Sequence, residues 1–246
     1  VISRGGPGSE GVPVAHSAVF QPIVDLAEWR VVGCEALARF ADGRSPVQHL
    51  DDAARCGEQT VLEIALIRTA VVAAAALPDG LFVTVNAAGA TFQHPALPDV
   101  LAGLRRPWGL ELTEGPTDVD LAEIRALVTD LGGMLLVDDA GTADADAARI
   151  LAARPDIVKV DRAPFWEIVA DADARARLEP ALAAAREVGA PLVVEGISQP
   201  EHLDVARGLG ARLGQGFHLG MPTPAPELGR ELSELRRRIG VDAPGL

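Results

Sequence analysis

From residue 18 onward, short runs of valine, leucine and isoleucine alternate with longer stretches whose apolar residues recur every three or four positions. Runs of the first kind predict strands and those of the second predict amphipathic helices. Eight strands are expected, over 19–24, 30–40, 81–86, 110–114, 134–139, 157–161, 192–196 and 212–219. Helices are expected over 59–77, 118–131, 145–153, 174–188, 200–209 and 226–239. Such alternation is the rhythm of a mostly parallel sheet. Only residues 25–29 separate the first two strands, too few for a crossover, so that pair is expected to be an antiparallel hairpin.

The apolar runs end in polar residues. Asn86 ends TVN, Glu111 and Glu114 lie in LELTE, Asp138 and Asp139 end LLVDD, Lys159 and Asp161 end IVKVD, and Glu195 follows LVV. A single Asp or Asn after a strand reads first as the N-cap of the next helix. Five strands ending this way read as a site, because in a βα barrel the strand C-termini converge on one face. Lys159 is also the only lysine of the chain, the other 21 basic residues being arginine. An arginine-biased background accounts for the 21 and not for the exception. A compact ammonium can approach an anionic oxygen where a planar guanidinium does not fit.

At 246 residues and 48% hydrophobic composition, the chain can bury a single sizeable core without disulfide or metal staples. A net charge of −13 argues against long nucleic acid bound through a basic face. A small anionic ligand is still compatible, since bound cations reverse the local field. Cys34 and Cys56 form no CxxC and no bridge framework, which points to a reducing compartment and, by default, the cytoplasm. The histidines at 16, 49, 94, 202 and 218 lack zinc-ligand spacing, and Trp29, Trp108 and Trp166 read as core or rim packing. The most apolar run, 69–77, is nine residues long against the ~20 of a membrane span, so this segment is expected to make no membrane contact. Residues 1–17 are small, polar and rich in Gly and Pro. They read as a linker in a longer protein with further domains ahead of it, and 18–246 as one barrel domain.

The segment Cys34-Glu35-Ala36-Leu37-Ala38-Arg39 resembles the signature of the EAL family, bacterial phosphodiesterases of cyclic di-GMP. Phe20-Gln21-Pro22-Ile23, the Asn86 segment, Glu111-Leu112-Thr113-Glu114, Asp138-Asp139, Lys159-Val160-Asp161, Glu195-Gly196 and Gln215-Gly216-Phe217 accompany it in family order, over residues 18–225. The resemblance implies a modified (β/α)8 TIM-type barrel with one antiparallel strand, cutting cyclic di-GMP to linear pGpG. It implies that Glu35, Asn86, Glu111 and Asp138 hold one divalent metal, and that Asp139 joins Asp138 at a second. Lys159 and Glu195 match residues beside the attacking water; Gln21, Arg39 and Gln215 match substrate-binding positions. Glu114 matches a residue that steadies the loop after the aspartate pair. An oxygen-only set suits Mg²⁺ or Mn²⁺ rather than zinc. Two such ions about 3.5–4 Å apart activate a bridging water and stabilise the leaving oxygen.

Two departures bear on activity. The loop after Asp138-Asp139, usually Phe-Gly-Thr-Gly-Tyr-Ser-Ser in the family, is Ala140-Gly141-Thr142-Ala143-Asp144-Ala145-Asp146, and Ser198 stands where a second glutamate is usual. In the family that loop couples metal binding to dimerisation, so both a weak activity and an open question of homodimerisation follow, while Asp144 or Asp146 is a candidate helix cap. Two classes of function stand: a metal-dependent cyclic di-GMP phosphodiesterase, and a catalytically silent module binding cyclic di-GMP or a protein partner.

Overall fold

The computed structural model describes residues 14–113, 119–142 and 146–239. Strands β1 (His16–Asp25) and β2 (Arg30–Phe40) form the expected hairpin, with Gln21 opposite Glu35. Then come β3 (Phe82–Ala87), β4 (Trp108–Leu112), β5 (Met134–Ala140), β6 (Ile157–Val160), β7 (Leu192–Val194) and β8 (Leu213–Gly214). From β3 to β8 each strand lies parallel to its predecessor, and β8 closes the ring against β1 in antiparallel sense. The result is a modified (β/α)8 barrel in which β1 alone runs against the others.

The helices are α1 (Pro46–Arg55), α2 (Gln59–Ala74), α3 (Gly89–Phe92), α4 (Leu97–Leu101), α5 (Leu121–Asp130), α6 (Asp146–Ala153), α7 (Arg162–Ala170), α8 (Arg175–Val188), α9 (Glu201–Gly208) and α10 (Leu228–Ile239). Helix α1 starts at a capping box, Ser45 Oγ accepting from the Gln48 amide while Gln48 Oε1 accepts from the Ser45 amide. Asp161 caps α7 by accepting from the Ala163 amide at 2.7 Å, so at this strand end the capping reading is the right one. Among the described residues no helix is long and apolar enough to cross a membrane.

Strand β1 begins at His16 rather than at 19 and β7 ends at Val194 rather than at 196, and two further differences bear on the site. The fourth spans Trp108–Leu112 rather than 110–114, because Trp108 is itself buried in the sheet; Glu114 lies outside the described residues. The eighth is only Leu213–Gly214 rather than 212–219. Gly216 has φ 150°, and a Cβ there would lie 2.3 Å from the Ile197 backbone. The chain turns at that point and cannot continue as strand.

Side chains two apart on a strand share a face, and this sorts the barrel interior into layers. Ile23, Leu136, Ile157, Val193 and Leu213 form a closed apolar cluster of their own, separate from the larger core between sheet and helices. On β2 and β4 the corresponding positions are Gly33 and Gly109. Their missing side chains are replaced by the Phe82 ring and Leu136 Cδ1, each 2.5 Å from where a Cβ would sit. The lower interior is thus filled solidly, as native packing requires, and forms a floor for the layer above.

Candidate active site

Two residues beyond each floor position stands a polar side chain: Glu35 after Gly33, Glu111 after Gly109, Asp138 after Leu136, Lys159 after Ile157, Glu195 after Val193 and Gln215 after Leu213. On the reversed strand, Gln21 precedes Ile23 by two. The alternation of each strand therefore places the polar layer at the C-terminal mouth of the barrel.

Lys159, 1% exposed, is its centre. Its Nζ lies 2.5 Å from Glu111 Oε2, 2.6 Å from Glu195 Oε1, and 3.3 Å from both Glu35 Oε2 and Asp138 Oδ1. Amides complete the ring: Asn86 Nδ2 donates to Glu35 Oε1 at 2.9 Å, and Gln215 Nε2 donates to Glu35 Oε2 at 2.6 Å and to Gln21 Oε1 at 3.1 Å. Gln21 Nε2 in turn donates to the Gly220 carbonyl. Asp139, in the left-handed region at φ 59°, donates its amide to Asp138 Oδ1 at 2.9 Å. Its carboxylate is not among the groups that reach Lys159. Arg39 is exposed at the end of β2, where its guanidinium donates to the Ala38 carbonyl. It does not touch the cluster, but with Glu35, Asn86, Thr113, Asp139 and Arg162 it lines a cleft of about 740 Å³.

Four carboxylates around one ammonium in a dry layer cannot all ionise freely. Burial pushes Glu111 well above the usual carboxylate range, with repulsion from Glu35 and Asp138 adding to it against the pull of Lys159. Burial likewise pushes Glu195 up to about 8, against the pull of Lys159 and with repulsion from Asp138 and Glu35. Glu35 is equally buried, but the Lys159 charge and the Asn86 and Gln215 amides hold it below its ordinary value. Lys159 resists the cost of burial and is raised well above a free lysine by the surrounding acids.

Among the described residues no three His, Cys, Asp or Glu side chains stand ready in a metal-holding arrangement; the acids are turned onto Lys159. The donor set nevertheless fits a hard divalent cation. It is made of oxygen, it carries more negative charge than one ammonium neutralises, and Glu111 Oε1 is buried without a hydrogen-bond partner. Thr84 Oγ1 and Gln215 Oε1 are also unpartnered.

Several supporting residues escaped sequence reasoning. Glu63 on α2 is buried and accepts from the Ala88 amide at 2.9 Å, Thr91 Oγ1 at 2.5 Å and Gln59 Nε2 at 2.9 Å, pinning the turn just after Asn86. Arg149 on α6 donates to the carbonyls of Leu112, Thr113 and Asp138; Asp146, expected as a candidate cap, is the first residue of α6 and accepts from the Gly141 amide at 2.7 Å. A helical Glu or Arg carries no local signal of such a task. Trp166 proves to be a rim residue: its indole donates to the Gly196 carbonyl at 2.8 Å. Ala140 is fully buried and paired with Val160 in the sheet. Residues 143–145 of the altered loop, including Asp144, lie outside the described residues.

The sequence model of the EAL domain matches residues 16–222, and the chain belongs to the EAL domain family. It is 24% identical over 234 residues to the oxygen sensor protein DosP of Escherichia coli, covering 85% of this chain and 28% of that protein. The chain spans 27–28% of the length of the two curated relatives it matches. The fold superposes on Klebsiella pneumoniae BlrP1, solved with manganese and cyclic di-GMP, with a TM-score of 0.74 at 24% identity, covering 89% of this chain and 58% of that one. It also superposes on a standalone EAL protein of Vibrio cholerae bound to cyclic di-GMP, with a TM-score of 0.74 at 20% identity, covering 86% and 94%.

Proposed function

We propose that this domain hydrolyses one phosphodiester of cyclic di-GMP to give linear pGpG, using Mg²⁺ or Mn²⁺. Membership of the EAL domain family supports the reaction class. The single observation that carries the reading is the buried ring of Glu35, Glu111, Asp138 and Glu195 around Lys159, with Glu111 Oε1 lacking any partner. Buried acids in excess of their counter-charge are costly unless a cation completes them. Glu35, Asn86, Glu111 and Asp138 would hold that metal, with Asp139 beside Asp138 for a second. Bound there, divalent metal supplies a water of lowered pKa and charge stabilisation at the phosphate oxygens.

This chain's own groups do the rest. Glu195, at the mouth of the ring and 22% exposed, orients the attacking water and takes its proton. Lys159 sets a point charge at the centre of the acid ring. Gln21 and Gln215, locked to each other and to Glu35, fix the wall against which the ligand lies, and Arg39 at the open side of the cleft meets its second phosphate. Hydrolysis adds water across one P–O bond, and the released ribose oxygen leaves with a proton.

A second reading, a silent cyclic di-GMP-binding module, is favoured by the altered loop and by Ser198. One experiment separates them: incubate the protein with cyclic di-GMP and Mn²⁺ or Mg²⁺ and resolve the nucleotides. pGpG that disappears with excess chelator supports the enzyme. Ligand retained without cleavage supports the silent module, and cleavage undiminished in chelator overturns the metal reading.

A further inference from the structure

We infer that Arg149 is a positioning residue for the candidate metal site, stapling the ends of β4 and β5 together from the first turns of α6. Its Nη1 donates to the Asp138 carbonyl at 3.2 Å, and its Nη2 donates to the carbonyls of both Leu112 and Thr113. Leu112 follows Glu111 directly, and Asp138 is itself the second acid. One planar fork therefore fixes the peptide units that aim two neighbouring carboxylates at Lys159, and only a guanidinium presents donors in that spread. Three residues earlier on the same helix, Asp146 Oδ2 takes the Gly141 amide at 2.7 Å, and Thr142 Oγ1 donates to the Asp139 carbonyl at 2.8 Å. The root of the altered loop is thus gripped by α6, in a chain where Ala140 and Ala143 supply neither an aromatic anchor nor a glycine. The consequence for metal rests on the reading above.

A built-in control lies at the other end of the barrel. Arg106 makes the same kind of clamp, donating to the carbonyls of Leu77, Pro78 and Leu81, just before the N-terminal ends of β3 and β4 and so at the opposite end of those strands from the site. A clamp that merely stabilises the fold would behave alike in both places.

The test compares Arg149→Met, Arg149→Lys and Arg106→Met with the parent. Mn²⁺ binding is measured by calorimetry, melting temperature by dichroism, and amide exchange by mass spectrometry over 108–113 and 134–142 in metal-free protein. Loss of support behind a ligand costs about 10–100-fold in metal affinity, which is the expectation for both Arg149 variants, together with faster exchange in the two segments. Arg106→Met is expected to melt earlier, with parental Mn²⁺ affinity and parental exchange over 134–142. Arg149→Lys keeps the charge, so its failure assigns the effect to the fork. If Arg149→Met does not fold, Arg149→Lys carries the same comparison. Wild-type Mn²⁺ affinity and unchanged exchange in the Arg149 variants, or equal losses in Arg106→Met, overturn the inference. If the parent binds no Mn²⁺, the metal reading falls, and the exchange data still decide the staple.

Discussion

Asp25 and Glu111 are both carboxylates on barrel strands, 2% and 0% exposed, and the protein treats them in opposite ways. Asp25 sits at the closed end. Arg212 Nε donates to its Oδ2 at 2.8 Å, and the amides of Ala27 and Glu28 both donate to its Oδ1 at 2.9 Å. Burial works against its ionisation, yet these donors hold it below its usual value. Glu111, at the open end, shares one ammonium with three other acids, keeps one oxygen unpartnered and is driven well up. A satisfied buried charge is a stabilising device; an unsatisfied one persists where something else completes it. The same chain shows both, which locates the working end of the barrel without reference to any relative.

The largest effect should come from emptying the centre. Lys159→Met leaves four acids with no counter-charge, and breaking buried pairs of this kind costs about 3–5 kcal/mol. In chelator, urea unfolding should move by that amount, and turnover should vanish. Lys159→Arg should restore charge without restoring turnover, since the fork is too bulky for the site. An arginine variant with parental turnover would reduce Lys159 to a generic counter-charge.

Glu195→Gln should act on chemistry alone. Turnover should fall at least ~100-fold, while cyclic di-GMP affinity, measured with Ca²⁺ in place of the active metal, stays at the parental level. A matching loss of affinity would show that Glu195 binds rather than activates.

The smallest effect belongs to the closed end. Asp25→Asn should cost about 1–3 kcal/mol near neutral pH, with turnover unaffected at temperatures where the variant is folded. Because the folded carboxyl is held below its unfolded value, its contribution is complete above about pH 4 and is lost as pH falls through the lower folded value. The stability gap between parent and variant should therefore close in acid. A gap that persists to low pH would mean that the turn geometry, and not the charge, is what Asp25 provides.

Much of this was legible in the chain because barrel chemistry writes itself into alternation. A floor residue, a spacer and a polar residue recur at Leu136-Val137-Asp138, Ile157-Val158-Lys159 and Val193-Val194-Glu195, so the site layer appears as the ends of apolar runs. What stayed hidden depends on distance in space. Glu63 lies 25 residues from the Ala88 amide it holds, and Arg149 lies 37 from Leu112; neither differs in sequence from an ordinary residue of a solvated helix face. Helices α1, α3, α4 and α7 fall outside the expected stretches: RAPFWEIVA of α7 has little amphipathic period, α3 and α4 are too short to show one, and α1 is a short helix whose signal lies in the Ser45 capping box. The end of β8 is not legible in the sequence, because hydrophobicity at 217 and 219 says nothing of the turn that Gly216 makes. Arg39 lines the cleft, away from the buried ring.

The reversed direction of β1 has a mechanical meaning. In an all-parallel barrel the polypeptide enters the first strand at the end remote from chemistry. Here it enters beside the cleft: Ser17 and Ala18 form part of the cleft wall, and four residues further on Gln21 is bonded to Gln215, which is bonded to Glu35. The strand that opens the barrel thus joins the cleft rim to the acid ring through Gln21, Gln215 and Glu35 within one short segment.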